Sequence, residues 1–210
     1  MDAAIPQPRK REPDYYYPAQ ASIRHNTKVL TANELAIMKF KTLPLSQEWA
    51  QHIGLPAESF DMMVHGQPGH GKTVWLLKFA KYLADTFGKT LFVSKEEYGA
   101  ATLTDKVNQF NIKSPNLFFS PDIHGINLNN YRFVFMDSIN VLKLDIEDYK
   151  RLREQYPNTA FIIILQTTKD GKFKGGKDWE HEVEIAVEIN KRQPRVYKNR
   201  YGVLTEPMDK

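Results

Sequence analysis

Cysteine is absent from all 210 residues, which excludes disulfides and Cys-ligated zinc or iron–sulfur sites and gives no support to an oxidising compartment. No apolar run approaches the length that spans a bilayer, and the first residues carry no signal-peptide pattern. The expected location is therefore the cytoplasm, with no membrane partner. Neither sign of charge dominates: 29 Lys and Arg against 25 Asp and Glu leave a net charge of +4, a mild bias towards polyanions. No internal repeat is present. A chain of this length with 41% hydrophobic residues is long enough for one α/β domain with a covered sheet and too short for two of ordinary size.

The chain does contain GQPGHGKT at residues 66–73, which fits G-x-x-x-x-G-K-[ST] at every fixed position. Gly66, Gly69 and Gly71 let the backbone curl so that amide hydrogens point inward at phosphate oxygens. Gln67, Pro68 and His70 complete the loop, and His70 reads as a bystander because such a loop works through its main chain. Lys72 is placed to reach the β- and γ-phosphates, and the hydroxyl of Thr73 to bind Mg²⁺. The context agrees. Met62, Met63 and Val64 form a buried strand running into Gly66, and from Val74 an apolar-faced helix continues to Phe87 and stops at Gly88.

Around this motif the pattern is an alternation. Residues 1 to about 28 hold Pro6, Pro8, Pro13, Pro18, the basic run Arg9–Arg11 and tyrosines 15–17, and read as an extended arm ahead of a domain spanning 29–210. The arm is either a solvated tail or a segment that docks on a neighbouring subunit or nucleic acid. Thr31 and Glu34 fit a capping box opening a helix with Leu35, Ile37, Met38 and Phe40, and Ser46 caps a short helix through Trp49 and Ile53. Strands are predicted at 90–94, 117–119, 133–136 and 160–165, with helices at 100–110 and 145–156. Alternating strands and helices imply a mostly parallel central sheet flanked by helices. From Ile185 the pattern changes to strand 185–189, a turn at Gln193 and Pro194, and strand 196–197, an antiparallel hairpin at the sheet edge.

Ligands of such sheets bind at the carboxyl ends of the strands, so polar residues there are the first candidates. Phe133–Met136 ends in Asp137, the carboxylate expected to hold Mg²⁺ directly or through water. Leu91–Ser94 is followed by Lys95, Glu96 and Glu97; Glu96 is the candidate general base or water-orienting group, the alternative being that both glutamates solvate the start of the next helix. The strand from Ala160 ends at Gln166, whose amide can both donate to a phosphate oxygen and accept from water, unless it is merely structural. In TTKDGKFKGGK, Lys169, Lys172, Lys174 and Lys177 surround Phe173, a composition suited to single-stranded nucleic acid as well as to a solvated loop. In YKNRYG, Lys198 and Arg200 lie two apart and share a strand face, where they either complete a neighbour's nucleotide site or form a solvated basic edge.

Taken in order, GQPGHGKT, LFVSKEE, FVFMDS, ILQTTKDGKFKGGKDWEHEVEIAV and YKNRYG resemble the RecA-like P-loop ATPases, in particular the RadA (Sms) branch and its replicative-helicase relatives, over roughly residues 40 to 204. The resemblance implies a catalytic glutamate at Glu96, a Walker B aspartate at Asp137, a γ-phosphate sensor at Gln166, cations acting across a subunit boundary at Lys198 and Arg200, and a DNA-facing loop at 168–178. It implies ATP and Mg²⁺ as cofactors and a homo-oligomer, ring or filament, with nucleotide at the subunit interface. GTP fits the same loop, since no base-reading motif is recognisable. The Cys zinc module and protease-like domain of RadA have no counterpart in this sequence, and the stretch from Ser138 to Tyr156 is barely one helix where relatives often carry a further DNA-contacting loop.

The leading functional expectation is an oligomeric Mg-dependent ATPase acting on DNA in recombination, repair or replication. The alternative is a non-motor adaptor or loader whose nucleotide gates assembly. A small-molecule kinase is a third reading, weakened because the late basic residues sit in a hairpin rather than a mobile lid.

Overall fold

The computed structural model describes residues 29–167 and 178–201. The N-terminal arm and the Lys169–Lys177 loop lie outside them. Seven strands form a single sheet.

The strands are β1 (Asp61–Gly66), β2 (Thr90–Ser94), β3 (Leu117–Ser120), β4 (Phe133–Asp137), β5 (Ala160–Gln166), β6 (Ile185–Asn190) and β7 (Gln193–Asn199). They lie in the order β3-β2-β4-β5-β1-β6-β7, and every neighbouring pair is parallel except β6 and β7, which are antiparallel. The helices are α1 (Ala32–Ala36), α2 (Gln47–Ile53), α3 (Lys72–Thr86), α4 (Ala101–Gln109), α5 (Ile139–Leu142), α6 (Ile146–Gln155) and α7 (Asp178–Glu182).

Alternation along the buried strands builds two cores. Met62, Val64, Phe92, Phe135, Ile162 and Ile164 face one side with α2, α3 and α4, while Met63, Val93, Val134, Met136, Phe161 and Ile163 face the other with α5 and α6. Both faces are therefore covered, which explains why these strands read as continuous apolar runs. Asp61 is fully buried at the start of β1 and pairs with Arg153 of α6 at 2.6 Å, fastening that helix to the sheet.

The mostly parallel sheet and the antiparallel edge hairpin agree with the sequence reading, but three local expectations are corrected. The capping box of Thr31 and Glu34 forms, yet its helix ends at Ala36, so Ile37, Met38 and Phe40 lie beyond it. Leu35, Ile37 and Phe40 are exposed and supply no core-facing stripe to lengthen the helix. The stretch after Asp137 holds two helices, α5 and α6, separated at Lys143, which adopts a left-handed conformation with φ of 60°. The hairpin turns at Lys191 and Arg192, with φ of 45° and 69°, rather than at Gln193 and Pro194. Two consecutive left-handed residues reverse the chain tightly, and Pro194 is tolerated in β7 because that strand is the sheet edge.

Candidate nucleotide site

The carboxyl ends of β1, β2, β4 and β5 converge on a cavity of about 670 Å³, lined by the loop glycines, Lys72, Thr73, Glu96, Asp137 and Gln166 among others. Parallel pairing is what brings these together: Gly66 is level with Gln166, and Ser94 with Asp137. Lys72 and Thr73 open α3, so the first turn of that helix presents its unpaired amides to the cavity.

Lys72 Nζ donates to the carbonyls of Gly66 at 2.7 Å and Gln67 at 3.0 Å, holding the ammonium against the loop. Burial lowers its pKa, with Asp137 pulling in the opposite direction. Thr73 Oγ1 donates to Asp137 Oδ2 at 3.2 Å. Loss of solvation pushes the Asp137 carboxyl up to about 6, against the Thr73 hydrogen bond and with a contribution from the Glu97 charge. The adjoining hydroxyl and carboxylate fit Mg²⁺, which takes hard oxygen ligands and keeps much of its shell for water and phosphate. Among the described residues no group of three or more His, Cys, Asp or Glu could enclose a metal, so a site completed by protein side chains alone is not formed there.

The two glutamates after β2 occupy different positions. Glu97 is half-buried and receives Lys106 Nζ on both carboxylate oxygens, at 2.6 and 2.7 Å. Glu96 is exposed at the cavity wall and forms no ion pair among the described residues. Gln166 lines the same cavity, and its backbone amide donates to Asn140 Oδ1 at 3.1 Å, tying the ends of β4 and β5 together through α5. His70 contributes through its main chain: its amide donates to the Gln67 carbonyl at 3.2 Å and its carbonyl accepts from Arg192.

Lys198 and Arg200 are not at this cavity. They lie at the far end of β7, level with the beginning of β1, where Ile185 pairs with both Met62 and Asn199. Eight residues from Arg192 to Arg200 correspond to roughly 25 Å of strand. Lys198 Nζ donates to the Glu180 carbonyl, and burial followed by the Arg200 charge lowers its pKa. Arg200 is exposed and has no ion pair among the described residues. Lys169, Lys172, Phe173, Lys174 and Lys177 lie outside the described residues.

Arg192, Lys106, Lys78, Trp75 and Phe110 also line the cavity and were not singled out from sequence. A left-handed turn at 191–192 would have pointed to Arg192; Lys106 carries no motif and is found only when α4 packs beside the end of β2.

The fold is that of RecA-like P-loop proteins. No protein-family model matches the chain. It is 27% identical to the DNA repair protein RadA of Campylobacter jejuni over 69% of this chain and 38% of that protein. RadA of Chlamydia pneumoniae is 29% identical over 69% of this chain and 37% of its own length, so the chain spans well under half of these curated relatives. The flagellar accessory protein FlaH from Methanocaldococcus jannaschii has a similar fold, with a TM-score of 0.59, 12% identity, and coverage of 80% of this chain and 91% of that one. The chain is thus RecA-like in fold and similar in sequence to RadA over 69% of its length.

Proposed function

We propose that the chain is a Mg-dependent ATPase that works as an oligomer on single-stranded DNA in recombination, repair or replication. The observation that carries this reading is the convergence of Lys72, Thr73 and Asp137 at the mouth of β1, with Thr73 and Asp137 3.2 Å apart. Main-chain amides of residues 67–73 would grip the phosphates, and Lys72 would exchange its loop carbonyls for β- and γ-phosphate oxygens. Thr73 and Asp137 would hold Mg²⁺, which when bound neutralises phosphate charge. Glu96 is the carboxylate left to orient the attacking water, because Glu97 is engaged by Lys106, and Gln166 is positioned to sense the γ-phosphate.

Arg200 supports the oligomer. An exposed guanidinium remote from its own cavity suits the nucleotide of a neighbouring copy, as an arginine finger acts in trans. Val29, Leu35, Ile37 and Phe40 add exposed apolar surface of the kind that marks subunit contacts. DNA action rests on the similarity to RadA and on the composition of the 168–178 loop.

ATP turnover measured with and without single-stranded DNA tests the proposal. The expected result is hydrolysis that DNA stimulates and that Lys72→Ala abolishes. Nucleotide binding without DNA stimulation or salt-sensitive DNA binding would instead indicate a nucleotide-gated adaptor.

A further inference from the structure

We propose that Arg192, at the tip of the β6–β7 hairpin, is a phosphate-binding cation acting within its own chain. The inference rests on the reading of residues 66–73 as a phosphate loop and adds a group that the loop motif does not contain.

The hairpin touches the loop at two points. A Cβ at Gly66 would lie 2.3 Å from the Ile189 carbonyl oxygen, and a Cβ at Gly71 would lie 2.9 Å from Arg192 Cγ. These glycines therefore admit the hairpin as well as permitting the loop's curvature, with φ of 149° and 88°. The Arg192 amide donates to the His70 carbonyl at 2.9 Å, which fixes the turn to the loop backbone.

The side chain that follows from this placement lines the cavity shared with Lys72 and Thr73. It is exposed and has no ion pair among the described residues, whereas Lys106 in the same cavity is engaged by Glu97 and Lys72 by loop carbonyls. A guanidinium presents a planar fork of donors that matches phosphate oxygens, and its always-charged state suits a polyphosphate beside a helix N-terminus. The ligand class is the phosphate chain of a nucleoside di- or triphosphate.

The test is calorimetric titration of the full chain with Mg-ADP and with magnesium tripolyphosphate, comparing wild type, Arg192→Gln, Arg192→Lys and Lys191→Gln. Glutamine keeps the Cγ that packs on Gly71 and removes the charge; Lys191 is the neighbouring cation, outside the cavity lining. Thermal unfolding of each variant checks the fold. The expected result is a loss of about tenfold or more in affinity for both ligands in Arg192→Gln, partial recovery in Arg192→Lys, and wild-type affinity in Lys191→Gln. Unchanged affinity in Arg192→Gln, or equal losses in Arg192→Gln and Lys191→Gln, would overturn the proposal while leaving the phosphate loop intact. Loss for ADP alone would overturn it in favour of a contact to the nucleoside. Wild type that binds neither ligand would overturn the phosphate-loop reading itself.

Discussion

The two ends of β7 make an instructive contrast. At one end Arg192 sits against its own phosphate loop, in a cavity where side chains from four strands are already assembled. At the other, Arg200 is exposed with no ion pair among the described residues and does not line that cavity. On the proposed reading, one end supplies the groups that bind nucleotide within a chain and the other a cation that serves a neighbouring copy. Binding and rapid turnover should therefore respond to different mutations.

The largest expected separation is between Arg200 and Lys72. Arg200→Ala in assembled protein should lower turnover by about 10³ to 10⁵ while leaving nucleotide affinity within about twofold, measured by steady-state hydrolysis and calorimetry. Lys72→Ala should remove affinity and turnover together, with affinity falling by about a hundredfold or more and thermal unfolding little changed. Equal losses of affinity in both variants would erase the contrast.

Asp137 sharpens it from the stability side. Its folded-state pKa, pushed up to about 6 by burial, lies above the ordinary carboxylate value of 3.8, so the ionised group costs stability above pH 6. That cost is relieved as pH falls from about 6 towards 3.8. Without nucleotide or metal, Asp137→Asn should stabilise the protein by about 1–2 kcal/mol at pH 8, allowing for solvent in the cleft, and the gain should vanish in acid. Denaturant unfolding at several pH values checks both parts.

A further effect concerns His65, next to the loop in β1. Burial, and then the Lys72 charge, holds its pKa down to about 4, below the ordinary 6.5. Its contribution to stability is therefore complete above pH 6.5 and is lost as pH falls towards 4, with a slope of at most about 1.4 kcal/mol per pH unit. His65→Gln should flatten the wild-type decline in that window; an unchanged profile would contradict the assignment.

Much of this was legible in the sequence because it depends on local pattern. Apolar runs ending in Gly66, Ser94, Asp137 and Gln166 announced parallel strands whose ends meet, and pairing then set their level. What was not legible depends on tertiary contact. Glu97 and Glu96 are adjacent in sequence and differ in exposure and in the ion pair that Glu97 makes with Lys106, nine residues on in α4. The hairpin turn was misplaced because Pro194 signals a turn locally, whereas at a sheet edge it is an acceptable strand residue and Lys191 and Arg192 take the left-handed positions.

The most direct test of the contrast mixes two inactive variants. Lys72→Ala keeps Arg200 but lacks a working loop; Arg200→Ala keeps the loop but lacks the finger. If Arg200 serves a neighbouring copy, random co-assembly restores a working pair at about one interface in four, and turnover should rise to about that fraction of wild type. Turnover that stays at the sum of the two separate variants, in material shown to co-assemble, would contradict the account.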